Sequence, residues 1–181
     1  VWIFLRDGEE SFHQFIIMEE MDMDYFSAVL ALGGFFLFLV MAILIALYVV
    51  ESLALYTLAK NNGQDSNAIL AWVPFVNQGF YGFLAGDQDI FGNRVQGMIL
   101  GVLMIIFPIL TIFVHGFLFY IVGLCGIVVA YFTLNGLYKK MEGSGDQSVI
   151  AVISAIIPLV RIIYVFMHRN DTLTEEGQIV E

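Results

Sequence analysis

Glu51 and Arg161 are the residues through which this sequence could build a polar centre, because each lies within a run of apolar residues. Arg161 follows about a dozen uncharged residues and precedes seven more up to His168. Its guanidinium must therefore reach about 10 Å to leave an apolar layer, at a helical rise of 1.5 Å per residue. An ionisable group at such depth is costly and normally faces a partner or a bundle interior. Glu51 lies nine residues before Lys60, and Arg161 eight before Arg169, so their depths match if those two helix ends share a side. The spacing predicts a Glu51–Arg161 ion pair, the alternative being that each side chain snorkels separately to the interface. Asn77 and Gln78, just past Pro74, are the second pair of candidates. They either hold backbone groups freed by the proline or line a polar pathway.

Little else in the chain asks for chemistry. There is no HExxH, no GxSxG and no glycine-rich phosphate loop before a helix. Ser148 and Ser154 have no base nearby in sequence, and His13, His115 and His168 are scattered. No catalytic residue, metal-ligand set or cofactor is therefore expected, and the chain is not expected to be an enzyme. Cys125 is the one cysteine, which excludes an intramolecular disulfide and reads as a small buried hydrophobe. Seven Lys/Arg against a net charge of −10 give no surface for nucleic acid. The acidic residues cluster at the two ends, as solvated tails would.

The elements that must position these residues are transmembrane helices. Of 181 residues 60% are hydrophobic and 13% charged, with a mean hydropathy of +0.86, too apolar for a water-soluble domain. Apolar runs near 20 residues recur, the length that crosses about 30 Å of hydrocarbon as helix. The expected fold class is all-α: a polytopic transmembrane helical bundle of about five spans, at 26–50, 68–86, 95–113, 117–138 and 148–168. Residues 1–25 form an acidic segment, 26–168 the transmembrane domain and 169–181 a polar tail. The acidic segment reads either as an interfacial amphipathic helix or as sequence upstream of a start at Met21 or Met23.

Local signals refine the spans. The first helix is expected to continue to Lys60 and end with Gly63 as a left-handed C-cap. Asp65, Ser66 or Asn67 would cap the next. The segment 68–86 carries Pro74 and reads as a kinked full span in preference to a re-entrant pair of half-helices. DQDIFGNR at 87–94 is a polar turn, and Val114-His115-Gly116 separates spans three and four, with His115 interfacial. Gly97 and Gly101 form a GxxxG ridge for close helix packing. Pro108 and Pro158 are expected kinks, Asn135 is expected to hydrogen-bond across helices, and Trp72 and Tyr81 to join an interfacial aromatic belt.

Two stretches match weakly: LYTLAKNNGQDSNAILAWVPFV from Leu55 and LYKKMEGSGDQSVIAVISAIIPLV from Leu137. Both read Leu-Tyr, Lys, Gly, Asp, then an apolar run ending in Pro-x-Val. With five spans the copies, spans one and two and spans four and five, would point opposite ways, a possible inverted repeat of the kind transporters use. Five spans also leave the basic loop residues nearly balanced between the two faces and put the termini on opposite sides. If 68–86 were re-entrant, Lys60 and the Lys139–Lys140 pair would fall on one side instead.

Around residues 45–90, Lys60, Gly63, Trp72, Pro74, Asn77 and Gly86 form a Lys/Gly turn followed by a Trp-x-Pro-x-x-Asn segment and a Leu-Ala-Gly ending. This stretch resembles small uncharacterised bacterial polytopic membrane proteins, which implies a bacterial cytoplasmic-membrane location and no particular activity. The acidic residues before Met21 depart from the short N-termini of that group. The expected function is that of a non-enzymatic accessory or structural subunit of a membrane complex. Its partners would be the lipid bilayer and other membrane subunits met through glycine-rich helix faces. The alternative is a small transporter or channel with a midplane polar site at Asn77, Gln78 and Arg161.

Overall fold

The computed structural model describes the backbone of residues 2–142 and 146–173 and the side chains of 25–141 and 146–173. The chain is mostly helical and all-α. In order come α1 (Trp2–Asn61), a 3-10 turn (Ala68–Trp72), α2 (Val76–Ala85), β1 (Gln88–Ile90), β2 (Asn93–Val95), α3 (Gly97–Phe113), α4 (Phe117–Glu142), α5 (Ser148–Ile156) and α6 (Pro158–Met167). Among the described residues two helices are long and apolar enough to cross a membrane, Tyr25–Asn61 within α1 and Phe117–Met141 within α4. The chain divides into two compact units at Ala46/Leu47.

The first unit is the α1 helix up to Ala46. From Tyr25 onward every side chain in it is exposed except the half-buried Val40. Those 22 uncharged helical residues measure about 33 Å along the axis. The choice of Met21 or Met23 as a start, and an interfacial role for 1–24, fall on residues whose side chains lie outside those described.

The second unit, from Leu47, holds the core. Its core includes Ala54, Leu55, Leu58 and Ala59 of α1 and Leu134, Leu137, Tyr138 and Met141 of α4, each set spaced to occupy one helix face. α1 ends at Asn61, where Gly63 takes φ +71° and Gln64 N–H bonds Ala59 C=O at 2.9 Å, a left-handed C-cap. Asn67 occupies the cap position of the 3-10 turn, with no side-chain capping bond. Asp146 Oδ1 accepts from Ser148 N–H at 3.0 Å at the start of α5, and hydrogen bonds from the Ser148 hydroxyl and amide hold its carboxyl below the usual range.

Neither proline-broken segment is a continuous helix. Around Pro74 the backbone leaves the helix at Val73 (φ −89°, ψ 118°) and turns at Phe75 (φ 66°), a positive φ that a bulky residue adopts only under constraint. The 3-10 turn then runs away from Gln64, and α2 runs back toward it. Gln64 and Gly86 line the same cavity of about 230 Å³, whereas a continuous helix would put them about 33 Å apart. Around Pro158, Ile157 is extended (φ −116°, ψ 97°), as the residue before a proline prefers, and Pro158 opens α6. Tyr164 on α6 donates to Gln147 Oε1, before α5, at 3.4 Å, where a continuous helix would separate them by about 25 Å. Each proline therefore marks the bottom of a helical hairpin.

Folding back brings the hinges to one end. Asn62, Gln64, Gly86, Lys140 and Leu173 share that one cavity, so α1, α2 and α4 all finish there. The chain after α6 finishes there too: Asn62 accepts Leu173 N–H at 2.5 Å and donates to Asp171 C=O at 3.1 Å, while Asn61 donates to Arg169 C=O at 3.3 Å. The start of the tail thus docks on the bundle. The two similar stretches run the same way, each a long helix rising to this end followed by a hairpin.

Between the copies, Asp87–Arg94 forms a β-hairpin where a simple turn was expected. Phe91 and Gly92 both take positive φ (52° and 79°), the two-residue turn that suits strand twist. Asp87 pairs with Arg94 Nε at 3.1 Å and caps α3 through Gly97 N–H at 3.2 Å. Close helix approach follows from glycine. A Cβ on Gly82 would collide with Gly101 N, and one on Gly101 would collide with Gly79 O. The Gly97–Gly101 ridge is therefore used inside the chain, against α2. Gly82→Ala is expected to cost about 1–3 kcal/mol through overpacking, and Gly33→Ala, with nothing within 4 Å, nothing measurable. Thermal unfolding in micelles checks both; equal melting of the two variants would contradict the close α2–α3 crossing.

Candidate functional site

A carboxylate placed halfway down an apolar bundle must gather donors or leave. Glu51 is 5% exposed on α1, and two elements supply its donors. Arg161 NH2 on α6 lies 3.1 Å from Glu51 Oε1, the Tyr81 hydroxyl on α2 donates to the same oxygen at 2.7 Å, and Gln78 Nε2 lies 3.4 Å from Oε2. The two charged side chains are almost as hidden as each other, 11% and 6% exposed for Arg161 and Glu51. The Arg161 guanidinium also lies over the Tyr81 ring at 4.9 Å.

The breaks set this geometry. α2 begins just after Pro74, so Gln78 and Tyr81, one helical turn apart, face Glu51 together. α6 begins at Pro158, so Arg161 sits on its first turn at the same level. The outer side of the centre is built by Tyr138 and Tyr164, rings 4.2 Å apart, with His168 stacked on Tyr164 at 4.5 Å. The Tyr138 and Ser154 hydroxyls are neighbours but not in hydrogen-bonding geometry. Arg161 Nε and Ser52 Oγ are likewise buried without a partner among the described residues.

Beside the pair lies a half-open cavity of about 200 Å³. Gln78 and Arg161 give its polar end; Met104, Phe107 and Pro108 of α3 and Gly123 of α4 are among its apolar lining. Neither the cavity nor the pair contains a nucleophile with a base beside it. Among the described residues no three His, Cys, Asp or Glu side chains come together as a metal site requires.

The chain matches no protein family, no curated protein and no solved structure.

Of the residues singled out from the sequence, Glu51, Arg161 and Gln78 come together here. Asn77 does not join them: it is buried at 3% exposure, its N–H bonded to Val73 C=O at 3.1 Å, while its neighbour Gln78 takes the Glu51 contact. Tyr81, expected at the interface, is fully buried on Glu51, a role that its spacing of three from Gln78 would have signalled. Trp72 is at the bottom of the first hairpin, its carbonyl accepting from the Tyr48 hydroxyl at 2.6 Å. Asn135 Oδ1 is buried with no partner among the described residues, where a bond across helices was expected. Cys125 is exposed on α4, not buried, although its neighbour Gly126 packs against Phe107 of α3.

Removing one member of a buried pair leaves an unpaired charge, so Arg161→Met should cost about 3–5 kcal/mol and the double variant Glu51→Gln/Arg161→Met appreciably less. Tyr81→Phe should cost about 1.5–3 kcal/mol for a hydrogen bond to a charged acceptor. Denaturant unfolding in mixed micelles measures all three; additive losses in the double variant would mean that the pair does not form.

Proposed function

We propose that this chain is a non-enzymatic integral membrane protein, an accessory or structural component of a membrane assembly, crossing the bilayer with α1, α3 and α4. The hairpins Ala68–Ala85 and Ser148–Met167 enter from the polar end and return to it. The three-crossing reading replaces five spans because both proline-broken segments fold back. α3, at 17 residues or about 25 Å, is at the short end of the spanning range. The exposed Phe113, Phe117 and Tyr120 at the α3–α4 turn suit the far interface.

This topology also gives an orientation. Lys60, Arg94, Lys139, Lys140 and Arg169, five of the seven Lys/Arg, gather at the polar end, and the positive-inside rule places that end in the cytoplasm. A bacterial cytoplasmic membrane is the setting implied by the resemblance of residues 45–90.

The observation that carries the accessory role is the closure of the Glu51 centre. Its carboxylate is engaged by donors from α2 and α6, and the core between it and the polar end is packed with Ala54, Leu55, Leu58 and Leu134, all with no exposed surface. A transporter with a site at Gln78 and Arg161 needs a route past that packing to the polar end. The glycines of α2 and α3 are consumed internally, so partner contacts fall to the exposed apolar surfaces of α1 and α4. Affinity purification of tagged full-length protein after mild membrane solubilisation tests this reading. A partner subunit recovered in fixed ratio is the expected result. A monodisperse protein that drives solute uptake into proteoliposomes would replace this reading with the transporter.

A further inference from the structure

The half-open cavity beside the ion pair is built asymmetrically, and its asymmetry specifies an occupant. At one end are the amide of Gln78 and the guanidinium of Arg161; the remaining lining is almost wholly apolar and comes mainly from α3 and α4. Pro108 and Ile127 in that lining are exposed, so the mouth opens among apolar surface, which in a membrane faces hydrocarbon. At about 200 Å³ the cavity is smaller than the roughly 300–1,000 Å³ of sites that enclose a whole small molecule. It takes the end of a ligand whose remainder is at home in lipid, which describes an alkyl chain.

The polar end selects the head group. A guanidinium has five N–H donors and accepts nothing. Glu51 Oε1 is paired with NH2 at 3.1 Å, and Arg161 and the Gln78 amide line the cavity beside that pair. A ligand that completes this end must bring acceptor oxygens, and a carboxyl group presents two in the geometry a guanidinium matches. A phospholipid tail entering the mouth would bring only a methyl group. A phospholipid phosphate belongs at the interface, whereas Arg161 lies eight residues, about 12 Å, below Arg169.

We propose that this cavity binds one long-chain fatty acid from the bilayer, its carboxyl group against Arg161 and Gln78 and its alkyl chain leaving between α3 and α4. The proposal rests on the membrane location given above and holds with or without a partner subunit. Gly123 provides the variant: it lines the cavity and a Cβ there meets nothing within 4 Å, so Gly123→Leu fills the space without disturbing helix contacts.

The experiment is equilibrium binding of radiolabelled oleic acid to full-length protein in phosphatidylcholine nanodiscs, with empty nanodiscs as the blank and thermal unfolding as the control for folding. One saturable site per chain is expected, weakened at least tenfold by Gly123→Leu at unchanged melting temperature. Methyl oleate and phosphatidic acid are each expected to compete at least tenfold less well than oleic acid. Uptake equal to that of empty nanodiscs, or binding indifferent to Gly123→Leu, overturns the proposal. Equal competition by phosphatidic acid overturns it in favour of a lipid-headgroup site, and equal competition by methyl oleate shows that the carboxyl group is not read. Failure of the membrane reading itself would appear earlier, as protein that does not incorporate into nanodiscs.

Discussion

A carboxylate buried at mid-depth in an apolar bundle is stable only where donors reach it from several directions, and the arrangement around Glu51 depends on meeting that need. Arg161 arrives from α6, Tyr81 and Gln78 from α2, and all converge on one carboxylate. None of them would be at the right level on an unbroken helix. Pro74 and Pro158 end the descending half of each hairpin, and the first or second turn of the ascending half then carries the polar side chains at the depth of Glu51. The prolines do more than bend helices; they set the height at which the polar centre forms.

The same fold-back explains features otherwise unrelated. It gathers five cations at one end of the second unit and leaves the α3–α4 turn apolar and aromatic at the other. It lets the two similar stretches run the same way, since each hairpin returns to its starting end. It also demands close packing of α2 against α3, which begins beside the end of α2; only glycines at 79, 82, 97 and 101 permit the observed approach. Counted from the prolines, Arg161 in the second hairpin stands where the first has Asn77, and of these two it is the arginine that pairs with Glu51.

Much of the helical layout was legible in the sequence because its signals are local. Gly63 as a C-cap, the turn at Val114–Gly116 and the extent of α3 follow from glycine conformation and apolar run length. The depth argument setting Glu51 opposite Arg161 needed only that Lys60 and Arg169 share an end, which holds whether the broken segments cross or return. What was not legible is how far the chain turns at a proline. A missing donor and a ring clash interrupt a helix without fixing the angle that follows. That angle is decided by packing far away in sequence, such as Tyr164 on Gln147, so five spans and an inverted repeat were the natural extrapolation for these segments. Tyr81 was hidden for a related reason: an aromatic residue near a presumed interface looks like an anchor until the segment carrying it is seen to fold inward.

The fold-back of both proline segments is the central claim, and the sidedness of the hinges tests it most directly. With Cys125 replaced by serine, single cysteines at Asp65, Asp89 and Asp146 can be labelled by a membrane-impermeant maleimide in sealed, oriented vesicles. All three are predicted to react from one and the same side, with a cysteine at His115 reacting from the other. Labelling of positions 65 and 146 from opposite sides would contradict the hairpins and restore the five-span, inverted arrangement.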